Sequence, residues 1–435
     1  MADWVHHAIW WHVYPLGFVG AFPADHAPGP DEHRLRRLVG WLDHAIELGA
    51  SGIALGPVFD SRTHGYDTTD HFRIDPRLGD DDDFDRLVDE AHRRGLRVLL
   101  DGVFNHVGTD FPRYRSAVDD GDPEAARWFR GRPGRFHTFE GHGELITLNH
   151  RSPAVVDYTV EVMNHWLSRG ADGWRLDAAY AVPESFWAAV LPRVRERHPE
   201  AWFVAEVIHG DYPGFVEASG VDSVTQYELW KAVWSSLNDG NFHELDWALQ
   251  RHNAFQDTFA PLTFVGNHDV TRIASKLERP GHLGHALVLL FTTGGVPSIY
   301  AGDELAYHGV KEDRPGGDDA VRPEFSAPPT DLEPDAADTL NLYRHLIGLR
   351  RRHPWLHRAR TSTLRLDNRF YVYQTRDGDN SLVVALNVDD DAAALPVAEL
   401  LGRPAEVLAG AGAPPPEVVS DIEVPPHGWL VLTPR

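Results

Sequence analysis

Four carboxylates in this 435-residue chain stand at or just beyond the ends of short apolar runs: Asp101 in DGVFNH, Asp177 in WRLDAAY, Glu206 in AEV and Asp269 in FVGNHD. The same segments carry Asn105, His106, Arg175 and His268. An ionised group costs several kcal/mol to bury unless it is paired or hydrogen-bonded. One such acid is ordinarily a helix cap or half of a salt bridge. Several acids gathered at one place push each other's pKa values apart, which separates a group that keeps its proton from a group that stays ionised. That combination equips a site for general acid catalysis beside a carboxylate nucleophile. Arg175 precedes Asp177 by two residues, so on a strand both side chains project to the same side.

The elements that must hold these groups follow a regular rhythm of short apolar run, loop and helical pattern. Eight runs read as strands: Ile9 to Tyr14, Gly52 to Pro57, Arg97 to Phe104, Asp172 to Ala178, Trp202 to Val207, Asp222 to Tyr227, Pro261 to Asn267 and Val296 to Gly302. Each is continuously apolar rather than alternating, as parallel strands covered on both faces are. Amphipathic segments lie between them, such as Asp83 to Gly95 and Ser152 to Gly170. In the latter Ser152 reads as an N-cap before a first-turn proline and Gly170 as a C-cap.

Eight alternations of strand and helix give a barrel or a doubly wound sheet. The acids at strand ends favour an α/β fold of the (β/α)8 barrel type, whose catalytic side chains lie at the C-terminal ends of the strands. The barrel is expected over residues 1–106 and 150–358. Residues 107–149, rich in Gly, Asp, Arg and Phe, form an excursion domain after the third strand. From 359 to 435 short β-type runs separated by turn residues predict an antiparallel β-sandwich. Within that region AGAPPPEVV (411–419) reads as a proline-stiffened loop.

A net charge of −24 repels phosphates and excludes a nucleic-acid partner. With no cysteine the chain has no disulfide, thiolate metal site or cysteine nucleophile. No stretch approaches the roughly 18 apolar residues of a membrane span. The N-terminus lacks a basic region followed by an apolar run and reads as the first strand, so no membrane association and a cytoplasmic location are expected.

The segments DGVFNH, GWRLDAAY, AEVIH and FVGNHD resemble, in order and spacing, the four barrel motifs of the α-amylase superfamily. HGYDTTDHFRIDPRLGD (64–80) is similar to that family's segment after strand two, and YAGDELAYHG to its strand-eight segment. The resemblance runs from about Ile9 to the C-terminus. It implies a retaining glycosidase acting on an oligosaccharide, with Asp177 as nucleophile and Glu206 as general acid and then base. Retention needs these carboxyls about 5–5.5 Å apart. Asp269 would bind sugar hydroxyls and help distort the ring. Arg175 would keep Asp177 ionised, with Asp101 bracing the arginine. His106 and His268 match residues that hydrogen-bond the sugar, and Tyr66 matches a stacking tyrosine. Asp318 and Arg322 match a pair on the donor side.

AEVIHGDY is similar to the neopullulanase and cyclomaltodextrinase branch, with His209 at the offset of that branch's histidine and Ile208 where tryptophan is usual. LITLNHRSPAVVDY resembles the same branch near the end of the excursion. The run that reads as the first strand begins at Ile9, so no counterpart of the N-terminal domain of many branch members is expected. The resemblance therefore implies α-1,4 cleavage of short or cyclic malto-oligosaccharides. Transglycosylation, α-1,6 or sucrose specificity, and non-catalytic carbohydrate binding stand as alternatives. No metal or cofactor is expected: Asn105 matches a calcium ligand of many amylases, but Asp110, Asp119, Asp120 and Asp122 show no ligand spacing. Oligomeric state is left open.

Overall fold

The computed structural model describes residues 2–21, 33–314, 316–411 and 417–435. It divides into two compact units, one comprising Met1–Val5, Trp10–Thr225 and Arg322–Thr330, the other His6–Ile9, Gln226–Val321 and Asp331–Arg435. The central part of the 411–419 loop expected from its prolines lies outside the described residues.

Six strands belong to the first unit: β1 (Trp10–Val13), β2 (Gly52–Leu55), β3 (Arg97–Gly102), β4 (Gly173–Leu176), β5 (Trp202–Ala205) and β6 (Ser223–Val224). They pair in the order β6-β5-β4-β3-β2-β1, every pairing parallel. The second unit supplies β7 (Leu262–Phe264) and β8 (Val296–Tyr300), also paired in parallel. Together these are the eight parallel strands of a (β/α)8 barrel. Each expected run contains its strand, and the observed strands are shorter by a few residues at their C-terminal ends. Chain leaves the sheet there to present side chains in loops, so Asp177, Glu206 and Asp269 lie beyond the last paired residue of their strands, while Asp101 is still paired.

The core of the first unit is built from large rings. Trp10, Trp11, Trp41, Trp166, Trp174, Trp187 and Trp202 are fully buried, and Trp10 stacks on Trp202 with ring centroids 5.8 Å apart. Rings of this size bury about 150–250 Å² each and dominate the energetics of a core. The helix at Asp81–Arg93 opens with a reciprocal capping box between Asp80 and Asp83, which satisfies two otherwise orphaned backbone N–H groups. At the helix Pro153–Ser168 the expected cap differs. Ser152 occupies the N-cap position in extended geometry, but its side chain makes no capping hydrogen bond. Pro153, at the first helical position, lacks an N–H that would be an orphan there in any case. At the other end Arg169 is the C-cap, and Gly170 follows it at φ 103°, a left-handed conformation natural to glycine.

Between β3 and Pro153–Ser168 the chain makes its long excursion, closed at its base by the antiparallel pair His106–Val107 and Ile146–Thr147. It contains helices Pro112–Asp119 and Pro123–Ala126 and a small hairpin, Gly131–Arg132 with Arg135–Phe136. At the C-terminus a six-stranded antiparallel sheet runs Arg360–Leu366, Phe370–Asp377, Asn380–Asn387, Trp429–Pro434, Ala405–Gly410, Val418–Val419 in spatial order. Its alternate residues Phe370, Val372, Val383, Ala385, Leu430 and Leu432 share one core with Leu395, Val397 and Val424. This is the two-residue period of a half-buried strand. Among the described residues no helix is long and apolar enough to cross a membrane.

Candidate active site

Strand register brings three of the four acids to one place in the first unit. Leu176 pairs with Ala205, so Asp177 and Glu206 are the next residues on two adjacent strands and leave the sheet at the same level. Neighbouring strands are about 4.8 Å apart. Arg175 pairs with Asp101 on the other side, which puts the guanidinium between the strands that carry the acids.

Arg175 is the hub. Its Nη1 donates to both oxygens of Asp101, at 2.8 and 2.7 Å, and lies 3.1 Å from Asp177 Oδ1. Its Nη2 is 2.9 Å from Glu206 Oε1. Asp101 is fully buried, Asp177 and Glu206 are each 7% exposed, and the Tyr66 hydroxyl donates to Asp101 Oδ2 at 3.3 Å. Burial works against the arginine's charge, but Asp101, Glu206, Tyr66 and Asp177 outweigh it and hold the guanidinium well above its usual range. Asp101 and Asp177 alone outnumber the guanidinium, which gives the pocket a net negative charge that suits a cationic transition state.

The second Glu206 oxygen, Oε2, accepts from the backbone N–H of Ala178 at 2.8 Å. Ala178 is held at φ 45°, ψ 35°, a left-handed conformation that a non-glycine residue adopts at a cost of about 1–3 kcal/mol. That turn directs the N–H following Asp177 at the carboxylate on the next strand. One strained residue thus couples the two acids.

The excursion adds Phe139 and Glu140, which sequence reasoning did not single out. His106 is buried, and burial drives its pKa down to about 3, so the imidazole is neutral at physiological pH. Phe139 stacks on His106, centroids 4.8 Å apart and planes 13° from parallel. Asn105 Nδ2 donates to His106 Nδ1 at 3.0 Å. Tyr180, two residues beyond Ala178, donates its hydroxyl to Glu140 Oε1 at 2.7 Å. Three acids of the excursion have partners: Asp110 faces Arg62 and Arg115, Asp119 faces Arg115, and Asp122 caps the N–H of Glu124.

His268 and Asp269 follow β7 in the second unit. His268 is buried, with Nε2 3.1 Å from Asp269 Oδ2. The N–H of Asp269 donates to Asn267 Oδ1 at 2.9 Å, and Asn267 Nδ2 donates to the Tyr227 hydroxyl at 2.9 Å. Asp318, in the same unit, pairs with Lys311 Nζ at 3.2 Å. Arg322 belongs to the first unit, buried, with its guanidinium 4.6 Å over the Tyr14 ring. Tyr66 is half-buried, while Ile208 and His209 are exposed in the loop after β5.

The family model of the α-amylase catalytic domain matches residues 34–339. The chain is 28% identical over 429 residues to a cyclomaltodextrinase of Geobacillus thermopakistaniensis, covering 91% of this chain and 71% of that protein. It is likewise 28% identical to neopullulanase 2 of Thermoactinomyces vulgaris, covering 88% and 70%. Two solved structures share its fold. A cyclic α-maltosyl-(1→6)-maltose hydrolase from Arthrobacter globiformis superposes with a TM-score of 0.83 at 23% identity, covering all of both chains. A debranching enzyme from Nostoc punctiforme superposes with a TM-score of 0.81 at 25% identity, covering 100% and 99%.

Proposed function

The chain belongs to the α-amylase family of glycoside hydrolases, and from that premise we propose that it cleaves α-1,4 links of short or cyclic malto-oligosaccharides with retention of configuration. Asp177 attacks the anomeric carbon while Glu206 protonates the departing glycosidic oxygen. A covalent glycosyl–Asp177 ester results. Glu206, now ionised, takes a proton from water, whose oxygen attacks the same carbon and releases the α-anomer. Asp269 holds sugar hydroxyls and favours the distorted ring. His106 and His268 hydrogen-bond the sugar, Tyr66 stacks on its apolar face, and His209, Asp318 and Arg322 line the outer subsites.

The observation that carries this reading is the single guanidinium touching both Asp177 and Glu206. It favours the close carboxyl pair of a double displacement over the wider pair that leaves room for water in single displacement. The names of the similar curated proteins, cyclomaltodextrinase and neopullulanase, support the substrate class. The likeness to a debranching enzyme favours a second reading, α-1,6 cleavage by the same residues. Water and a sugar hydroxyl compete as acceptors in either case, and exposed Ile208 and His209 lie where that choice is made.

A product time course with maltotriose, a cyclodextrin, isomaltose, sucrose and soluble starch decides. Rapid release of α-anomeric glucose or maltose from the small α-1,4 substrates is expected, with slow attack on starch. Activity confined to isomaltose or sucrose would shift the specificity and keep the catalytic residues. Silence on all five would favour carbohydrate binding without turnover. Site chemistry is metal-free in this proposal, so a chelator should leave activity within about twofold; inactivation that calcium reverses would contradict it.

A further inference from the structure

Two acids of the strand-eight segment YAGDELAYHG, Asp303 and Glu304, have no part in bond cleavage as described, yet they are 1% and 0% exposed. Carboxylates so placed need strong partners. Glu304 Oε2 accepts from the Gly302 N–H at 2.8 Å. Asp303 Oδ1 accepts from Arg272 Nη1 at 2.8 Å, and the same nitrogen donates to the Ala301 carbonyl at 3.1 Å. Arg272 is fully buried, its guanidinium 4.3 Å from the Tyr300 ring centre and 5.4 Å from that of Tyr307. Burial raises Asp303 to about 7, with Arg272 opposing and Glu304 adding to the rise.

Position in the chain gives this pair its meaning. Arg272 is the third residue after Asp269, and Gly266 is the third before it. The second Asp303 oxygen, Oδ2, lies so close over Gly266 that a Cβ there would come within 2.4 Å of it. One carboxylate therefore touches both ends of the turn that presents His268 and Asp269. The strand-eight loop adds three bonds to the same turn and its continuation. Arg272 N–H donates to the Gly309 carbonyl at 3.0 Å, Lys311 N–H to Thr271 Oγ1 at 3.0 Å, and Gly309 N–H to Ser275 Oγ at 2.9 Å.

We infer that Asp303 and Arg272 are positioning residues that preset the turn from Gly266 to Arg272 and so fix the Asp269 carboxylate for the transition state. A buried ion pair is weak evidence for stability, since an apolar replacement is often as stable. A carboxylate fitted over a glycine on one side and bonded to a buried guanidinium nitrogen on the other supplies geometry that an apolar pair does not. The inference rests on the reading of Asp269 as a sugar-binding group that acts in catalysis.

The test is steady-state kinetics on maltotriose for Asp303→Asn, Gly266→Ala and Asp269→Asn, with Asp303→Asn also in the Asp269→Asn background, each folded by circular dichroism. Asp303→Asn should lower kcat on the order of 10- to 100-fold, with KM within about threefold, because the displaced group acts in the transition state. Gly266→Ala pushes on the same contact from the opposite side and should give the same split, even where Asp303→Asn does not fold. In the Asp269→Asn background Asp303→Asn should cost little more. Wild-type kcat in Asp303→Asn and Gly266→Ala beside a collapsed Asp269→Asn would overturn the inference alone, as would a full additive loss in the double variant. A harmless Asp269→Asn would remove the reading of Asp269 first and the inference with it.

Discussion

Two arginines, one on a barrel strand and one in the loop that follows another, do opposite work with the same functional group. Arg175 meets three carboxylates, Asp101, Asp177 and Glu206, with its side chain still 12% exposed. Arg272 meets one carboxylate, a carbonyl and the faces of Tyr300 and Tyr307, and is sealed from solvent. Around Arg175 negative charge is in excess and opens toward a substrate. Around Arg272 one carboxylate bonds the guanidinium directly, a second buried acid lies close behind it, and rings wall the group in. A guanidinium organises reactive groups when several acids meet it at an opening, and it organises backbone when it bonds one buried acid and a carbonyl away from solvent.

The contrast breaks first at the acids of the open cluster. Asp177→Ala should lower kcat by roughly 10⁴-fold or more with the fold intact by circular dichroism. Wild-type-like turnover would remove the nucleophile. Glu206→Gln should cost about 10²–10⁴-fold on maltotriose and far less on an aryl glucoside with an activated leaving group, which needs no proton in the first step. An equal loss on both substrates would contradict the acid role.

Replacing each arginine by lysine sharpens the comparison. Lysine offers a point charge in place of a fork. At 175 it cannot serve Asp101, Asp177 and Glu206 together, and a loss of roughly 10²–10³-fold in kcat is expected. Arg272→Lys still reaches one acid and should lose only about tenfold. Equal losses would erase the distinction between the two sites.

The smallest effect is on stability against pH. Burial depresses His71, His150, His252, His282 and His285 to about 4 and His106 and His357 to about 3. Unfolded histidines take up protons near pH 6.5 and these native ones do not, so the unfolded state binds more protons and stability falls as pH drops below about 6.5. Asp303 has the opposite sign: raised to about 7, it takes up its proton in the native state first and adds stability as pH falls from 7 toward 4. Melting temperatures from pH 7.5 to 4.5 should decline in the wild type, and more steeply in Asp303→Asn. A flat profile would contradict the neutral histidines.

What the sequence disclosed follows the range of the forces involved. The eight strands were legible because each is a local apolar run, and Arg175 beside Asp177 was legible because i and i+2 share a strand face. The bond from Ala178 to Glu206 was not, since nothing local marks an alanine for left-handed backbone. Phe139 over His106 and Glu140 beside Tyr180 join residues 33 and 40 positions apart through an excursion without periodicity. Ser152 illustrates the converse: a sound local signal for a cap, with no capping bond formed. The grip of Asp303 on Gly266 was hidden for the same reason as Phe139, because only the folded β7–β8 pair brings them together.

The most direct test of the account is to trap the glycosyl–enzyme intermediate. A 5-fluoro-α-glucosyl fluoride, offered to the Glu206→Gln variant, should form the ester quickly and hydrolyse it slowly. Proteolysis and mass spectrometry should then find one added glycosyl mass, on the peptide GWRLDAAY at Asp177. An adduct on another carboxylate, or none alongside β-anomeric product from the wild type, would contradict it.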